Sequence, residues 1–294
     1  MILSTHGVIA SQIQSFVGLL DTYPNAAAAY SVRKLRAAYT GNAIRVRRSS
    51  DNAEQNIGFT ALGNLDTTAL TSFCSGTNGF VTTWYDQSGN ANNCVQTTAS
   101  NQAQIVSSGS VITQGGKPSL LFDGVNDSFL STIAIDPLFI TAVNTPNTTS
   151  VYNTIMGADT SDVVSGPFGA IYFQYSTPTR TATFVRTPLT GSFSAVSNRQ
   201  EANNTTNLIT GTRTSTTIEI FTNNVSRGTG STASSLSTLG GTDGGKFRLM
   251  AAYYNRTVVD FLLGNLTEFI AYTSDQSSNR TGINTNINTY YAIY

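Results

Sequence analysis

Apolar and polar positions alternate in short runs through most of this chain, which is the pattern of β-strands with one buried face. In Ile44-Arg45-Val46-Arg47, for example, two aliphatic residues share one face and two arginines share the other. Comparable runs, bounded by residues typical of turns, occupy residues 80–85, 119–123, 207–213, 217–225 and 266–272. The pattern predicts an all-β fold.

Helical spacing is confined to the two ends of the chain. Apolar residues recur at helical intervals after Ser11 and again near the C-terminus. Between these ends, Asn25 is a candidate N-cap for a segment that runs to Ala38 before Gly41. We therefore predict three short peripheral helices, near residues 12–20, 26–39 and 278–291.

The pattern predicts one domain with an extension. No repeat or long linker interrupts residues 26–294, so we predict one sandwich domain there, preceded by an N-terminal arm over residues 1–25. The arm is rich in apolar residues and lacks the basic and continuous apolar regions of a signal peptide. Two interpretations stay open: it packs on its own domain, or it docks on another subunit.

Composition narrows the classes of partner. Charged residues make up 11% of the chain, against about 25% in an average protein, and the formal net charge is zero. A neutral chain gives no general case for nucleic-acid or anionic-membrane binding. No apolar run approaches the ~18 residues that span a bilayer, so membrane insertion is not expected.

The most specific motif lies at residues 84–93, Trp-Tyr-Asp-Gln-Ser-Gly-Asn-Ala-Asn-Asn. It follows a segment ending in Arg-Arg-Ser-Ser-Asp at residues 47–51 and a Phe-Cys pair at residues 73–74. In this order the segments resemble the N-terminal half of the catalytic domain of the fungal α-L-arabinofuranosidase B family, over about residues 26 to 125. Residues 122–127, Phe-Asp-Gly-Val-Asn-Asp, resemble a signature of laminin-G and concanavalin-like sandwiches. The resemblance implies a concanavalin/laminin-G-like antiparallel jelly-roll sandwich.

The resemblance also indicates where catalytic carboxyls should lie. The family's nucleophile is a Glu downstream of an Ala-Ile-Tyr motif, which residues 170–172 match, but no acid lies between Asp162 and Glu201. The counterpart of the family's acid/base Asp is Asn255, and residues near 153–154, Asn-Thr, replace its vicinal cysteines. An amide does not exchange a proton at a useful pKa, so we expect no catalytic residue and no enzyme.

Candidate ligand contacts follow from the motif and the resemblance. They are Trp84, Asp86, Gln87, Asn90 and Asn255. Asp86 either binds a sugar hydroxyl or stabilises the turn, because Asp before Gln-Ser-Gly is common in turns. The single histidine, His6, leaves no material for a His-based triad or metal site.

A second pair of acids has two interpretations. Asp123 and Asp127 could hold Ca²⁺ together with backbone carbonyls, or they cap backbone amides in a turn. Calcium is the one cofactor considered.

Two further groups of residues, the cysteines and a run of basic residues, each have two interpretations. Cys74 and Cys94 flank the motif and are either paired or two buried free thiols. Six of the sixteen basic residues fall between residues 33 and 48. They either pair with acids of a neighbouring subunit or form a solvated face balanced by Asp51, Glu54 and Asp66.

Low charge, abundant Ser, Thr and Asn, and the motif loop together resemble modules of bacteriophage structural proteins. The expectation is a virion protein, a capsid decoration or tail component with a non-catalytic, lectin-like module that binds carbohydrate or serves assembly. Expected partners are other virion proteins, copies of the chain and a host-surface glycan. The alternative is an arabinofuranosidase-type glycoside hydrolase, with Glu201, Glu219 and Glu268 as the glutamates of the second half; a free sugar-binding lectin is a third interpretation.

Overall fold

The computed structural model describes the chain in eight stretches. They are residues 16–147, 152–159, 170–176, 181–186, 194–200, 202–231, 244–254 and 257–294. The described helices are α1 (Leu19–Thr22), α2 (Thr67–Phe73) and α3 (Arg280–Tyr291).

The strands form an almost entirely antiparallel network. In chain order they are β1 (Ala28–Ser31), β2 (Ile44–Arg48), β3 (Glu54–Ile57), β4 (Gly79–Trp84), β5 (Cys94–Val95), β6 (Gln104–Ser107), β7 (Ser110–Val111), β8 (Thr113–Gln114), β9 (Lys117–Pro118), β10 (Leu120–Asp123), β11 (Phe129–Ala134), β12 (Phe139–Pro146), β13 (Tyr152–Asp159), β14 (Ala170–Ser176), β15 (Thr181–Arg186), β16 (Ser194–Gln200), β17 (Asn207–Arg213), β18 (Thr217–Thr222), β19 (Val225–Ser231), β20 (Lys246–Leu249), β21 (Ala252–Tyr254), β22 (Thr257–Val259) and β23 (Leu263–Tyr272).

Two layers of strands face each other. In one layer β23 pairs with β1 and β10 on one edge and with β12 on the other, and the sheet continues through β17, β18 and β19. In the other, β2 and β4 lead through β5, β11 and β20 to β13, β14, β15 and β16. β6 joins the layers by pairing with β4 and β10. Phe247 of β20 stacks on Phe269 of β23 with ring centroids 5.9 Å apart, so the core lies between the layers.

The layer around β23 is buried on both faces. Every residue of β12 is buried, although alternation would expose half of them. On the outer face, Leu19 and Leu20 of α1 and Ile283 and Ile287 of α3 form a second apolar cluster against this layer. The outer helices therefore convert an otherwise half-exposed sheet into a doubly covered one.

The predicted all-β sandwich is confirmed. β2 shows the expected alternation, with Ile44 and Val46 buried and Arg45 exposed. The strands predicted over residues 207–213 and 217–225 include β17 and β18, which pair with each other. The strand predicted over 266–272 and the helix predicted near 278–291 are β23 and α3.

The helix predicted over residues 26–39 is wrong. This segment forms β1, whose four residues are all buried and pair with β23. Asn25 has φ 67°, so the chain turns here and does not start a helix. Strand pairing within a doubly covered layer outweighs the high helix propensity of the alanines.

Helix α2 was not predicted. It begins after Asp66, whose side chain accepts a hydrogen bond from the Ala69 amide. This N-cap was a usable sequence signal, but the threonines that follow are poor helix formers.

The N-terminal segment is part of the sandwich from at least residue 19. Leu19 and Leu20 are buried beside α3, and the Leu20 amide donates to the Leu35 carbonyl. A boundary at residue 25 would therefore cut through a packed segment. The described part of the helix expected at 12–20 is α1, and residues 1–15 lie outside the described residues. Docking of the arm on another chain stays a prediction.

The structure decides between the interpretations left open for the two cysteines and for the basic residues between 33 and 48. Cys74 and Cys94 are both free and buried, and burial raises the pKa of each thiol. Two acids expected to balance the basic face do so, through Arg45–Glu54 and Arg48–Asp51 ion pairs at 2.6 and 2.7 Å.

Within the described stretches, no helix has the length and apolarity to cross a membrane.

Candidate functional site

The motif loop is organised by the carboxylate of Asp86, which is buried. Its Oδ1 accepts hydrogen bonds from the amides of Ala29 and Ser88, both at 2.9 Å. Its Oδ2 accepts from the Ser88 hydroxyl at 2.6 Å and the Asn92 amide at 2.9 Å. With four donors on two oxygens, this carboxylate ties the loop to β1.

Gln87 extends the same connection. Its side chain is fully buried; Oε1 accepts from the Leu35 amide at 2.8 Å, and Nε2 donates to the carbonyls of Ser31 and Arg33 at 3.0 Å. These bonds satisfy backbone groups of the segment that leaves β1. The loop therefore acts as a brace between β4 and β1.

The other two candidate ligand contacts in the motif, Trp84 and Asn90, differ in exposure. Trp84 is fully buried between the rings of Tyr30 and Phe129. Asn90 is exposed, and its amide donates to the Ala26 carbonyl. This burial favours the turn-stabilising role of Asp86 over sugar binding, and ligand contact by the motif residues stays a prediction. Asn255 lies outside the described residues.

Asp123 and Asp127 form a self-contained turn. Asp123 Oδ1 accepts from the amides of Val125, Asn126 and Asp127, and Asp127 Oδ2 accepts from the Asp123 amide. Of the two interpretations of this pair, the geometry matches the one in which the acids cap backbone amides in a turn. In the described part of the chain, no three His, Cys, Asp or Glu side chains gather as metal ligands.

The Asp127 carboxyl should make stability depend on pH. Burial, and secondly the charge of Asp123, raises the pKa of Asp127 to about 7. The folded state thus holds this proton more tightly than the unfolded state, so the group's contribution to stability is present below about pH 4 and is lost as pH rises to about 7. Asp127→Asn should raise the free energy of unfolding by about 2 to 4 kcal/mol at pH 8 and by little at pH 4. Urea unfolding at both pH values tests this, with exposed Asp275→Asn as control; an equal effect at both would contradict it.

A polar groove lies between residues 95–101, residues 126–130, Arg248 of β20 and the segment of Val258 and Phe261. It encloses about 300 Å³ and is lined by polar side chains, including Gln96, Asn101, Ser128 and Arg248, and by Val258 and Phe261.

Strand β13 is in backbone contact with the residue that follows the β21–β22 hairpin. The amide of Thr154 in β13 donates to the Asp260 carbonyl at 2.9 Å. Asp260 directly follows β22 of the β21–β22 hairpin. This bond therefore connects Thr154, at the counterpart of the family's vicinal cysteines, to the residue after the hairpin.

Asp260 is the carboxyl that sequence reasoning missed here. Burial raises its pKa, and no side-chain hydrogen bond to it occurs among the described residues. Its sequence neighbours Val258 and Phe261 line the groove. The available signal was an acid within an apolar run, residues 258–263, Val-Val-Asp-Phe-Leu-Leu.

The two glutamates of the second half that the structure describes, Glu219 and Glu268, do not line this groove. Glu268 is fully buried and binds Arg33. Glu219 accepts a short hydrogen bond from Ser226 within the β18–β19 hairpin. Glu201 lies outside the described residues.

Fold and sequence comparisons define the class to which this sandwich is similar. Residues 21–118 match the family described as "Alpha-L-arabinofuranosidase B, catalytic". A probable α-L-arabinofuranosidase B of Aspergillus terreus is 37% identical over 101 residues, covering 32% of this chain and 20% of that protein. An α-L-arabinofuranosidase of Hypocrea jecorina is 37% identical over 95 residues, covering 31% and 19%. The matched segment thus spans about a fifth of the length of these relatives.

Solved structures extend the likeness of fold beyond the matched segment. A GH54 α-L-arabinofuranosidase soaked with a cyclic sulfate inhibitor superposes with a TM-score of 0.61 at 15% identity, covering 89% of this chain and 62% of that chain. A mutant GH54 α-L-arabinofuranosidase soaked with 4-nitrophenyl α-L-arabinofuranoside gives the same TM-score at 16% identity, with the same coverage of each chain. The predicted β-sandwich likeness to this family is therefore confirmed.

These findings correct the expectation that the chain is not an enzyme. Its relatives are named as α-L-arabinofuranosidases, and the family that matches residues 21–118 is described as catalytic. The comparisons thus point to the arabinofuranosidase-type alternative and give no sign of a virion role. The expectation rested on the residues aligned at single positions and took no account of Asp260, which lies in the chain between Val258 and Phe261 of the groove.

Proposed function

We propose that this chain is an arabinofuranosidase-type glycoside hydrolase domain that cleaves terminal α-L-arabinofuranosyl groups. The observation that carries the proposal is the 37% identity to α-L-arabinofuranosidases through the motif loop. Support comes from a groove of about 300 Å³ that is lined in part by Val258 and Phe261, which lie on either side of Asp260 in the chain. That volume suits a sugar of one or two rings, at the small end of the range for ligand sites.

Asp260 is the proposed proton donor. Glycoside hydrolysis needs a carboxylic acid that protonates the leaving oxygen, and an acid with a raised pKa keeps its proton nearer to neutral pH. Burial raises the pKa of Asp260 in that direction. In this role the Asp260 carboxyl gives its proton to the glycosidic oxygen as the bond to the sugar breaks.

A second carboxyl must serve as nucleophile or base. It would lie about 5–5.5 Å from the first in a retaining enzyme and about 6.5–9.5 Å away in an inverting one. The sequence departs from the family at the nucleophile, because no acid lies between Asp162 and Glu201. The candidates follow strands of the same layer: Asp159 ends β13, Asp162 comes shortly after it, and Glu201 follows β16.

Hydrolysis of 4-nitrophenyl α-L-arabinofuranoside tests the proposal. The protein should release nitrophenol, and Asp260→Asn should lower kcat about 100-fold or more while KM changes little. The wild-type rate should fall at high pH as Asp260 loses its proton, and this limb should disappear in the variant. Asp275→Asn, an exposed loop acid, is the matched control and should leave the rate unchanged.

The outcomes separate the parts of the proposal. No turnover by the wild-type protein, on this substrate or on arabinan, would overturn the function. Turnover that is insensitive to Asp260→Asn would keep the hydrolase and reject Asp260 as the acid. Loss of turnover in Asp159→Asn, Asp162→Asn or Glu201→Gln would identify the second carboxyl.

The virion location and its protein partners stay predictions from composition and from the resemblance to phage modules. A glycoside hydrolase carried on a virus particle would be compatible with the composition of the chain and with its similarity to arabinofuranosidases. Mass spectrometry of purified particles would detect the chain there.

A further inference from the structure

Two cavities meet at Tyr290, near the end of α3. The first encloses about 530 Å³ and is bordered by α2 and the β8–β9 hairpin. The second encloses about 290 Å³ and lies between residues just before α1 and the loop at Leu62 and Gly63. Neither shares a lining residue with the groove beside Asp260. We call the two together the Tyr290 cleft, defined by Lys34, Asn64, Thr67, Thr68, Lys117 and Tyr290.

The charge of the Tyr290 cleft is positive. Lys34, Lys117 and Arg33 line it, and no Asp or Glu is among the described residues that do. Arg33 is already neutralised by its ion pair with Glu268 at 2.8 Å. Lys34 and Lys117 form no ion pair within the described ranges. Two lysines in a partly enclosed site, without carboxylate partners, favour an anionic ligand.

The first cavity also offers neutral hydrogen-bonding groups. Thr67, Thr68 and Thr71 of α2 border it. The Thr71 hydroxyl donates to the Thr67 carbonyl at 2.9 Å, whereas the hydroxyls of Thr67 and Thr68 make no hydrogen bond in the described part of the protein. Free hydroxyls beside a cation suit a ligand that carries many hydroxyl groups and one charge.

Tyr290 is held firmly at the junction. Its hydroxyl donates to Asn64 Oδ1 at 2.7 Å, and its ring packs edge to face on Tyr291 with centroids 4.7 Å apart. Burial raises the pKa of Tyr290, so the hydroxyl stays protonated at neutral pH. Lys117 Nζ lies 4.1 Å from the ring centroid and the Arg33 guanidinium 5.0 Å from it, so cations already contact the ring.

We propose that the Tyr290 cleft is a second carbohydrate-binding site, selective for an acidic glycan that bears a carboxylate, such as a uronic acid. Lys117 in the first cavity and Lys34 in the second each bind a carboxylate of such a glycan, and Thr67, Thr68 and Tyr290 contact the sugar hydroxyls. A nucleic acid fits less well, because binding it relies on several cations along the backbone and on aromatic faces open for base stacking. The cleft offers two unpaired lysines and an aromatic ring already contacted by cations. This site does not depend on hydrolysis at Asp260.

Calorimetric titration with a galacturonic acid trisaccharide tests the proposal, with neutral arabinotriose as the comparison ligand. The acidic trisaccharide should bind more tightly and should lose affinity as salt is raised, because the attraction is ionic. Lys117→Met should weaken its binding about tenfold or more, as expected for loss of a charge-assisted hydrogen bond. Lys246→Met, which alters a lysine outside the cleft, is the matched control and should bind as the wild type does.

Three results would overturn the proposal. They are equal binding of arabinotriose, unchanged binding by Lys117→Met, and tighter binding of a single-stranded oligonucleotide. Thermal unfolding of each variant checks that it is folded, and Thr68→Val, on the exposed face of α2, provides a second variant if Lys117→Met is unstable. Activity towards an arabinofuranoside is measured in a separate experiment. A negative result for the acidic-glycan site therefore does not decide the hydrolase proposal, and a negative result for the hydrolase does not decide the glycan site.

Discussion

Replacing Glu268 by alanine should lower the free energy of unfolding by about 3–5 kcal/mol, one of the two largest stability effects expected in this protein. Glu268 is fully buried in β23, where its carboxylate binds Arg33 through Nε at 2.8 Å and Nη2 at 3.0 Å. The hydroxyls of Ser31 and Tyr291 donate to the same carboxylate. Removal of the acid leaves a buried guanidinium without a counter-charge, which is far more costly than loss of an exposed ion pair.

Urea unfolding of Glu268→Ala, Glu268→Gln and the double variant Arg33→Met/Glu268→Met measures this effect. The double variant should be closer to wild type than Glu268→Ala, because it removes both charges and fills the space with apolar groups. The exposed pair Arg48–Asp51 is the control, and Asp51→Ala should have a much smaller effect, because solvent screens an exposed ion pair. A loss of similar size from both sites would contradict the role assigned to burial.

Replacing Asp86 by alanine should also destabilise the fold strongly, by at least about 3 kcal/mol. The substitution removes both oxygens that accept from the backbone amides of Ala29, Ser88 and Asn92 and leaves those donors without a partner. Because these bonds connect the motif loop to β1, the change should loosen the contact between the two layers as well as the loop.

Asp86→Asn separates hydrogen bonding from charge, since it keeps one acceptor oxygen and should lose about half as much. Asn90→Ala, at the exposed tip of the loop, should cost below about 1 kcal/mol and serves as the control. If Asp86→Ala were as stable as wild type while sugar binding disappeared, the carboxylate would be a ligand contact and its structural role would be wrong.

Asp260, the proposed acid, does not lie at the position that aligns with the family's acid. Comparison with the family placed Asn255 at the acid and found no acid between Asp162 and Glu201. The sequence alone does not reveal the backbone hydrogen bond between Thr154 and Asp260. Val258 and Phe261 line the groove, so Asp260 belongs to a segment of the site that a count of aligned acids omits.

The sequence by itself determined the sandwich, the exposed face of β2 and the closing pair of β23 and α3, because each follows from local alternation or helical spacing. It also determined the motif that connects this chain to the arabinofuranosidase B family. The tertiary structure alone decided that residues 28–31 form a strand, because pairing with β23 and cover on both faces outweigh alanine's helix propensity. It alone decided that Asp86 and Gln87 brace the core and that Arg33 meets Glu268, since these contacts join residues far apart in the chain.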